Sequence, residues 1–106
     1  MKKILITGAS GGIGSSIADK FVKNEYEMIL TSSSDVTLSK LKQKYGNNHH
    51  YYILDFKNPE ENNIIIKNIS AEHKDLSVIV NNAGITDDSL LLRMKADQWN
   101  LSLIHI

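Results

Sequence analysis

Thr7-Gly8-Ala9-Ser10-Gly11-Gly12-Ile13-Gly14 holds four of the chain's six glycines, directly after an apolar run and directly before a segment of helical period. A chain that leaves a buried strand and enters a helix within so few residues needs backbone freedom that side chains deny. Gly8 allows the tight turn, Gly12 removes a side chain where backbone must approach a pyrophosphate, and Gly14 lets the helix pack close to the strand. The emerging helix N-terminus presents unpaired N–H groups and a partial positive charge to phosphate. A merely flexible glycine-rich loop is the bland alternative. The strand before it and the helix after it argue against that reading.

The rest of the chain is punctuated in the same way. Lys2–Thr7 reads as a buried strand, and Ile13–Lys23 as a helix with Ile13, Ile17, Ala18, Phe21 and Val22 on one apolar face. Glu27–Thr31 is a second strand, followed by a Ser32–Asp35 loop in which Asp35 suits a helix N-cap. Val36, Leu38, Leu41 and Tyr45 form the stripe of a second helix, with Gly46 as its C-cap. Tyr51–Leu54 is a third strand closed by Asp55, and Pro59 opens a third helix with Glu60 and Glu61 at its positive end. Ile64-Ile65-Ile66 is β-branched, yet Ile65, Ile66 and Ile69 share a helical face. Leu76–Val80 is the fourth strand. Strand and helix alternate throughout, which implies parallel pairing in a layered α/β fold.

Composition narrows the function. The chain has 106 residues, 42% hydrophobic and 23% charged, enough for one globular domain. Twelve basic and twelve acidic residues cancel, which argues against nucleic acid or an anionic membrane as partner. There is no cysteine, so disulfides, thiolate metal sites and a cysteine nucleophile are excluded. Met1–Ile6 opens like a signal peptide, but Thr7-Gly8 breaks the apolar run far too early for a signal or a membrane span. A cytoplasmic location is the expectation. His49, His50, His73 and His105 are not spaced as a metal site, and His49-His50 reads as a solvated loop.

The glycine spacing T-G-x-x-x-G-x-G resembles the short-chain dehydrogenase/reductase superfamily, whose members bind NAD or NADP on a Rossmann fold. Asp55-Phe56 resembles the acidic-apolar pair that meets adenine in that family, and Asn81-Asn82-Ala83-Gly84 resembles its N-N-A-G signature. The segment Gly84–Lys95 with Trp99 is similar to bacterial β-ketoacyl-acyl-carrier-protein reductases, above all in the Leu-Leu-x-Arg-Met-Lys stretch Leu90-Leu91-Leu92-Arg93-Met94-Lys95. The resemblance implies a Rossmann-like, doubly wound parallel sheet, incomplete here, with four strands and without the catalytic half. It implies that Gly8, Ala9, Ser10, Gly11, Gly12, Ile13 and Gly14 cradle the pyrophosphate and adjoining ribose. Asp55 and Phe56 would meet adenine, and Asn82, Ala83 and Gly84 would line the cofactor.

Nicotinamide selectivity is read at the end of the second strand, where an NAD site carries Asp or Glu against the ribose 2′-hydroxyl. Thr31-Ser32-Ser33-Ser34 stands there instead, and its hydroxyls suit a 2′-phosphate, Ser33 first among them. NADP(H) is the expected cofactor. Many relatives carry Arg inside the glycine turn, where this chain has Gly11.

Family chemistry pairs hydride transfer with a proton from the tyrosine of a Tyr-x-x-x-Lys motif. Tyr26, Tyr45, Tyr51 and Tyr52 are followed four residues on by Leu30, His49, Asp55 and Phe56, so none qualifies. The expectation is a fragment of a longer reductase, itself inactive, whose parent is a homotetramer acting on an acyl-carrier-protein thioester. The alternatives are a fragment of another short-chain reductase and a non-catalytic nucleotide-binding module. The fourth strand would then end the sheet as an unpaired apolar edge, an aggregation hazard.

Residues 1–100 read as part of the dinucleotide-binding domain, and residues 101–106 as a foreign tail. One codon reading of Leu101–Ile106, CTG-TCT-CTT-ATA-CAC-ATC, resembles a transposon end used in sequencing libraries. Resequencing the locus without transposon-based preparation should replace these six residues by native sequence. An in-frame stop codon directly after Ile106 would exclude the foreign origin.

Overall fold

The strand-turn-helix alternation folds as parallel pairing requires. The computed structural model describes residues 2–54, 59–81 and 102–105. In chain order these form β1 (Lys3–Ile6), α1 (Gly12–Lys23), β2 (Glu27–Ser32), α2 (Asp35–Tyr45), β3 (His50–Ile53), α3 (Pro59–Glu72), β4 (Leu76–Asn81) and β5 (Ser102–His105). The sheet order is β3-β2-β1-β4-β5, and every pair is parallel. Strand order reverses between β1 and β4, which opens a crevice at their carboxyl ends.

Alternation along each strand sorts the core onto two faces. Ile4, Ile6, Met28, Leu30 and Val80 join Ala18 of α1 and Leu41 of α2 on one side. Leu5, Ile29 and Ile79 pack with Ile66 and Ile69 of α3 on the other. The sheet is therefore doubly wound. Ile65, Ile66 and Ile69 keep the shared helical face expected of them while Ile64 points outward, 61% exposed, so packing overrides their β preference.

The structure corrects four expectations. Ile13 is 61% exposed, because it lies in the first turn of α1, beyond the sheet that covers Ala18. Val36, in the first turn of α2, is likewise exposed, and only Leu38, Leu41 and Tyr45 pack inward. The N-cap of α2 is Ser34 and not Asp35: Ser34 is extended and its Oγ accepts from Thr37 N–H at 3.3 Å, while Asp35 stands inside the helix beside the positive end of the dipole. Finally, β4 is not the edge of the sheet, because β5 pairs with it from Val78↔Ser102 to Asn81↔His105. An open parallel edge is a template for any β-prone segment, and Leu103-Ile104 provides one after enough chain for a crossover. The strand lies inside the segment read as a foreign tail.

Helices α1 and α2 are tied by polar contacts centred on Asp19. Tyr45 Oη donates to Asp19 Oδ1 at 2.6 Å, and Lys44 Nζ lies 3.1 Å from the same oxygen. The tyrosine hydroxyl first, and Lys44 second, hold the Asp19 carboxyl below its usual range. The folded carboxyl therefore binds its proton less tightly than the unfolded one. Its small, solvent-screened contribution is complete above about pH 4 and is lost as pH falls through the folded value. Asp19→Asn should lower the urea midpoint at neutral pH, and the gap to wild type should close in acid. A gap that stays constant down to about pH 2.5 would rule this coupling out.

Candidate functional site

The crevice is built from the end of β1 outward. Gly8 takes φ of 64°, a left-handed turn that side chains resist. Gly11 N–H closes the turn onto Gly8 O at 3.2 Å, and Ala9 N–H donates to Thr31 O at 3.0 Å, anchoring the turn to the neighbouring strand. Thr31 Oγ1 receives Gly8 N–H at 3.4 Å, and Thr7 N–H reaches across to Val80 O at 3.1 Å. The turn is thus held from both flanks of β1.

What the turn presents is a helix end without a side-chain cap. Gly11 is the N-cap residue of α1, extended at φ −74° and ψ 165°, with no side chain to bond the first N–H groups. Ser15 N–H is the first to be satisfied within the helix, by Gly11 O at 2.8 Å. The N–H groups of Gly12, Ile13 and Gly14 precede the helical ladder. A Cβ on Gly12 would find no heavy atom within 4 Å, so the surface over the helix end is open. The first turn of α1 carries no acid, and Lys20 and Lys23 stand at its last turn, so nothing there neutralises the positive end of the dipole. Gly14 is buried, as close packing of helix against strand requires.

The second wall is the end of β2. Ser32 is 2% exposed and shares hydrogen bonds with Ser10 Oγ, at 3.2 Å, and with Thr37 Oγ1. It therefore braces the turn and α2. Ser33 is exposed, and among the described residues its hydroxyl has no partner. Thr31 and Ser32 were not singled out by motif. The signal was the hydroxyl run itself, of which Thr31 and Ser32 are buried and Ser33 and Ser34 exposed. Asp55, Phe56, Asn82, Ala83 and Gly84 lie outside the described residues.

Folding also changes the reading of the histidines. His49 Nδ1 accepts from Met28 N–H at 3.0 Å, and His50 belongs to β3 and pairs with Glu27 at 2.9 Å, so neither is a solvated loop residue. Glu27, His50 and His73, unrelated by spacing, meet at the amino ends of the strands, where their ligand atoms lie within 4.8 Å of one another. Burial is the first cause that pushes the His49 and His73 imidazoles below their usual range.

Comparison with known proteins agrees with this geometry. Residues 2–106 match the short chain dehydrogenase family. The chain belongs to that family. The short-chain dehydrogenase relatives include the 3-oxoacyl-[acyl-carrier-protein] reductase FabG of Salmonella typhimurium, 39% identical over 99 residues that cover 93% of this chain and 41% of that protein. The reductase of the same name from Rickettsia typhi is 42% identical over 99 residues, 93% of this chain and 39% of that protein. The chain thus spans about two fifths of the length of these relatives. Among solved structures, a short-chain dehydrogenase from Streptomyces avermitilis superposes with a TM-score of 0.68 at 32% identity, covering 80% of this chain and 31% of that one.

Gly12 offers a separation of stability from binding. Gly12→Ala should leave thermal stability unchanged or raise it by up to about 1 kcal/mol, because the position is helical and unobstructed. If a phosphate seats over the open helix end, the added methyl would stand in its way and nucleotide affinity should fall. Unchanged affinity in a calorimetric titration would remove Gly12 from the site.

Proposed function

We propose that this chain is the N-terminal, cofactor-binding part of an NADPH-dependent 3-oxoacyl-[acyl-carrier-protein] reductase of fatty-acid biosynthesis. The observation that carries the cofactor is the pairing of an uncapped, acid-free helix N-terminus with a strand end made of hydroxyls. Gly12, Ile13 and Gly14 supply backbone N–H groups to the pyrophosphate from a turn that Gly8, Ala9, Ser10 and Gly11 shape, and the exposed Ile13 gives an apolar side to the adjoining ribose. Ser33 donates to a 2′-phosphate, while Ser32 keeps the turn and α2 at a fixed separation by bonding both. Asp55 and Phe56 are assigned to adenine, and Asn82, Ala83 and Gly84 to the inner wall.

The bound cofactor supplies hydride to a ketone, giving a 3-hydroxyacyl thioester. The residues of this chain bind and orient it. The chain contains no Tyr-x-x-x-Lys, so the proton donor and the serine that positions the carbonyl are assigned to the part of the relatives that this chain does not span. The substrate, an acyl-carrier-protein thioester, is supported by the identity to reductases of that name and by the Leu90–Lys95 segment. A homotetrameric, cytoplasmic parent completes the proposal.

Fluorescence titration with NADPH and NADH tests it. The chain should bind NADPH more tightly, and Ser33→Asp should weaken NADPH by about tenfold while sparing NADH, because a carboxylate would face the 2′-phosphate. The same preparation should not reduce an acetoacetyl thioester. Equal affinity for the two nucleotides would overturn the NADPH assignment, and measurable turnover would overturn the division of labour.

A further inference from the structure

At the amino ends of the strands, opposite the glycine turn, several elements aim polar groups at one point. Lys3 Nζ of β1 lies 3.3 Å from Glu27 Oε2 of β2, 3.0 Å from Asp75 Oδ1 before β4 and 3.2 Å from His73 Nδ1 after α3. His50 Nε2 of β3 reaches the same Glu27 oxygen at 2.9 Å. The His50 and His73 rings meet edge to face with centroids 4.3 Å apart. Acceptors from separate elements thus converge on one cation, here an ammonium.

The hydrogen bonds fix the His73 tautomer. An ammonium only donates, so Nδ1 accepts and the ring proton sits on Nε2. Nε2–H then donates to Tyr52 Oη at 3.1 Å, and Tyr52 donates to Glu72 Oε2 at 2.6 Å. His73 is 3% exposed. A buried imidazole with its bare nitrogen facing a cation seat, and its other nitrogen bonded through a hydroxyl to a carboxylate, is the outer support of metal-ligating histidines.

We propose that Glu27, His50 and His73, whose ligand atoms lie within 4.8 Å of one another, bind a divalent transition cation of the zinc class that displaces the Lys3 ammonium from Glu27 and His73. Two imidazoles and one carboxylate suit zinc, whereas magnesium prefers an all-oxygen shell. Asp75 Oδ1, already beside the seat, is the nearest further oxygen. Lys3 is the internal competitor: its side chain is 16% exposed and can turn its charged end to water. The ion would fasten β2, β3 and the chain leading into β4 at the end of the sheet away from the crevice. It is a staple and takes no part in hydride chemistry.

Zinc titration of the full chain near neutral pH, followed by calorimetry and thermal unfolding, tests this, with cobalt as an optical reporter of the ligand set. One zinc per chain should bind and raise the thermal midpoint, cobalt should give visible d–d absorption, and magnesium should do neither. Lys3→Met removes the competitor and should tighten zinc about tenfold. Tyr52→Phe cuts the support of His73 and should weaken it about tenfold. His73→Gln, with its fold checked by circular dichroism, should abolish binding. Absence of zinc binding in both wild type and Lys3→Met overturns the proposal, as does binding that survives in folded His73→Gln.

Discussion

β1 is bonded along both edges, to β2 on one side and β4 on the other, and its Ile4, Leu5 and Ile6 are buried on both faces of the sheet. A strand enclosed in this way can release the chain only beyond its carboxyl end. The reversal there is sharp enough to need the left-handed Gly8, and it is clamped by backbone bonds to Thr31 and Val80. The position of α1 follows, and with it the direction of its N-terminus. The proposed anion site is thus a consequence of how a central parallel strand is left behind. Its rigidity comes from the same pairing that holds the core.

The two ends of the sheet divide the polar work. At the carboxyl ends stand glycines, hydroxyls and an unneutralised helix dipole, with no charged side chain among the described residues of the turn. At the amino ends stand Lys3, Glu27, His50, His73 and Asp75, each answered by a partner of opposite character. Lys3 favours its charged form through Asp75 and Glu27 although burial opposes it, and both acids are held below their usual range. Separating these sets keeps Glu27 and Asp75 at the opposite end of the sheet from the place where an anion is proposed to bind. Parallel strands permit this because all their carboxyl ends share one edge.

Elements whose pattern is local were legible in the sequence, and features that depend on the third dimension were not. The four strands through Leu76–Asn81, the three helices and the Gly46 cap follow from period, glycine and proline, and Gly46 indeed takes φ of 85°. Ile13 and Val36 misled because a helical stripe predicts a face but not how far the sheet extends beneath it. Asp35 misled because Ser34 and Asp35 are both good caps, and the choice rests on which residue is extended. Glu25 gave no signal at all: it adopts φ of 63° without glycine, held by its N–H to Val22 O at 3.2 Å and by Tyr26 N–H to Phe21 O at 3.1 Å. The histidine cluster was hidden for a simpler reason. Glu27, His50 and His73 come from β2, from β3 and from the connection between α3 and β4, and only the folded sheet brings them together.

On the proposed function, the distinction between two nearly identical nucleotides would turn on whether the end of β2 carries a charge. Two unit charges about 4 Å apart near a protein surface interact by roughly 4 kcal/mol, and screening lowers this further. A carboxylate at the end of β2 would set that repulsion against a 2′-phosphate, whereas Ser33 sets none and can donate a bond. The hydroxyls are neutral at every accessible pH, so on this reading the preference should not vary with ionisation of the protein wall. Ser32 cannot take the same role, because it is buried and already shared between Ser10 and Thr37. Its work is to fix the gap between turn and α2, which leaves the neighbouring exposed serine as the group free to meet the ligand.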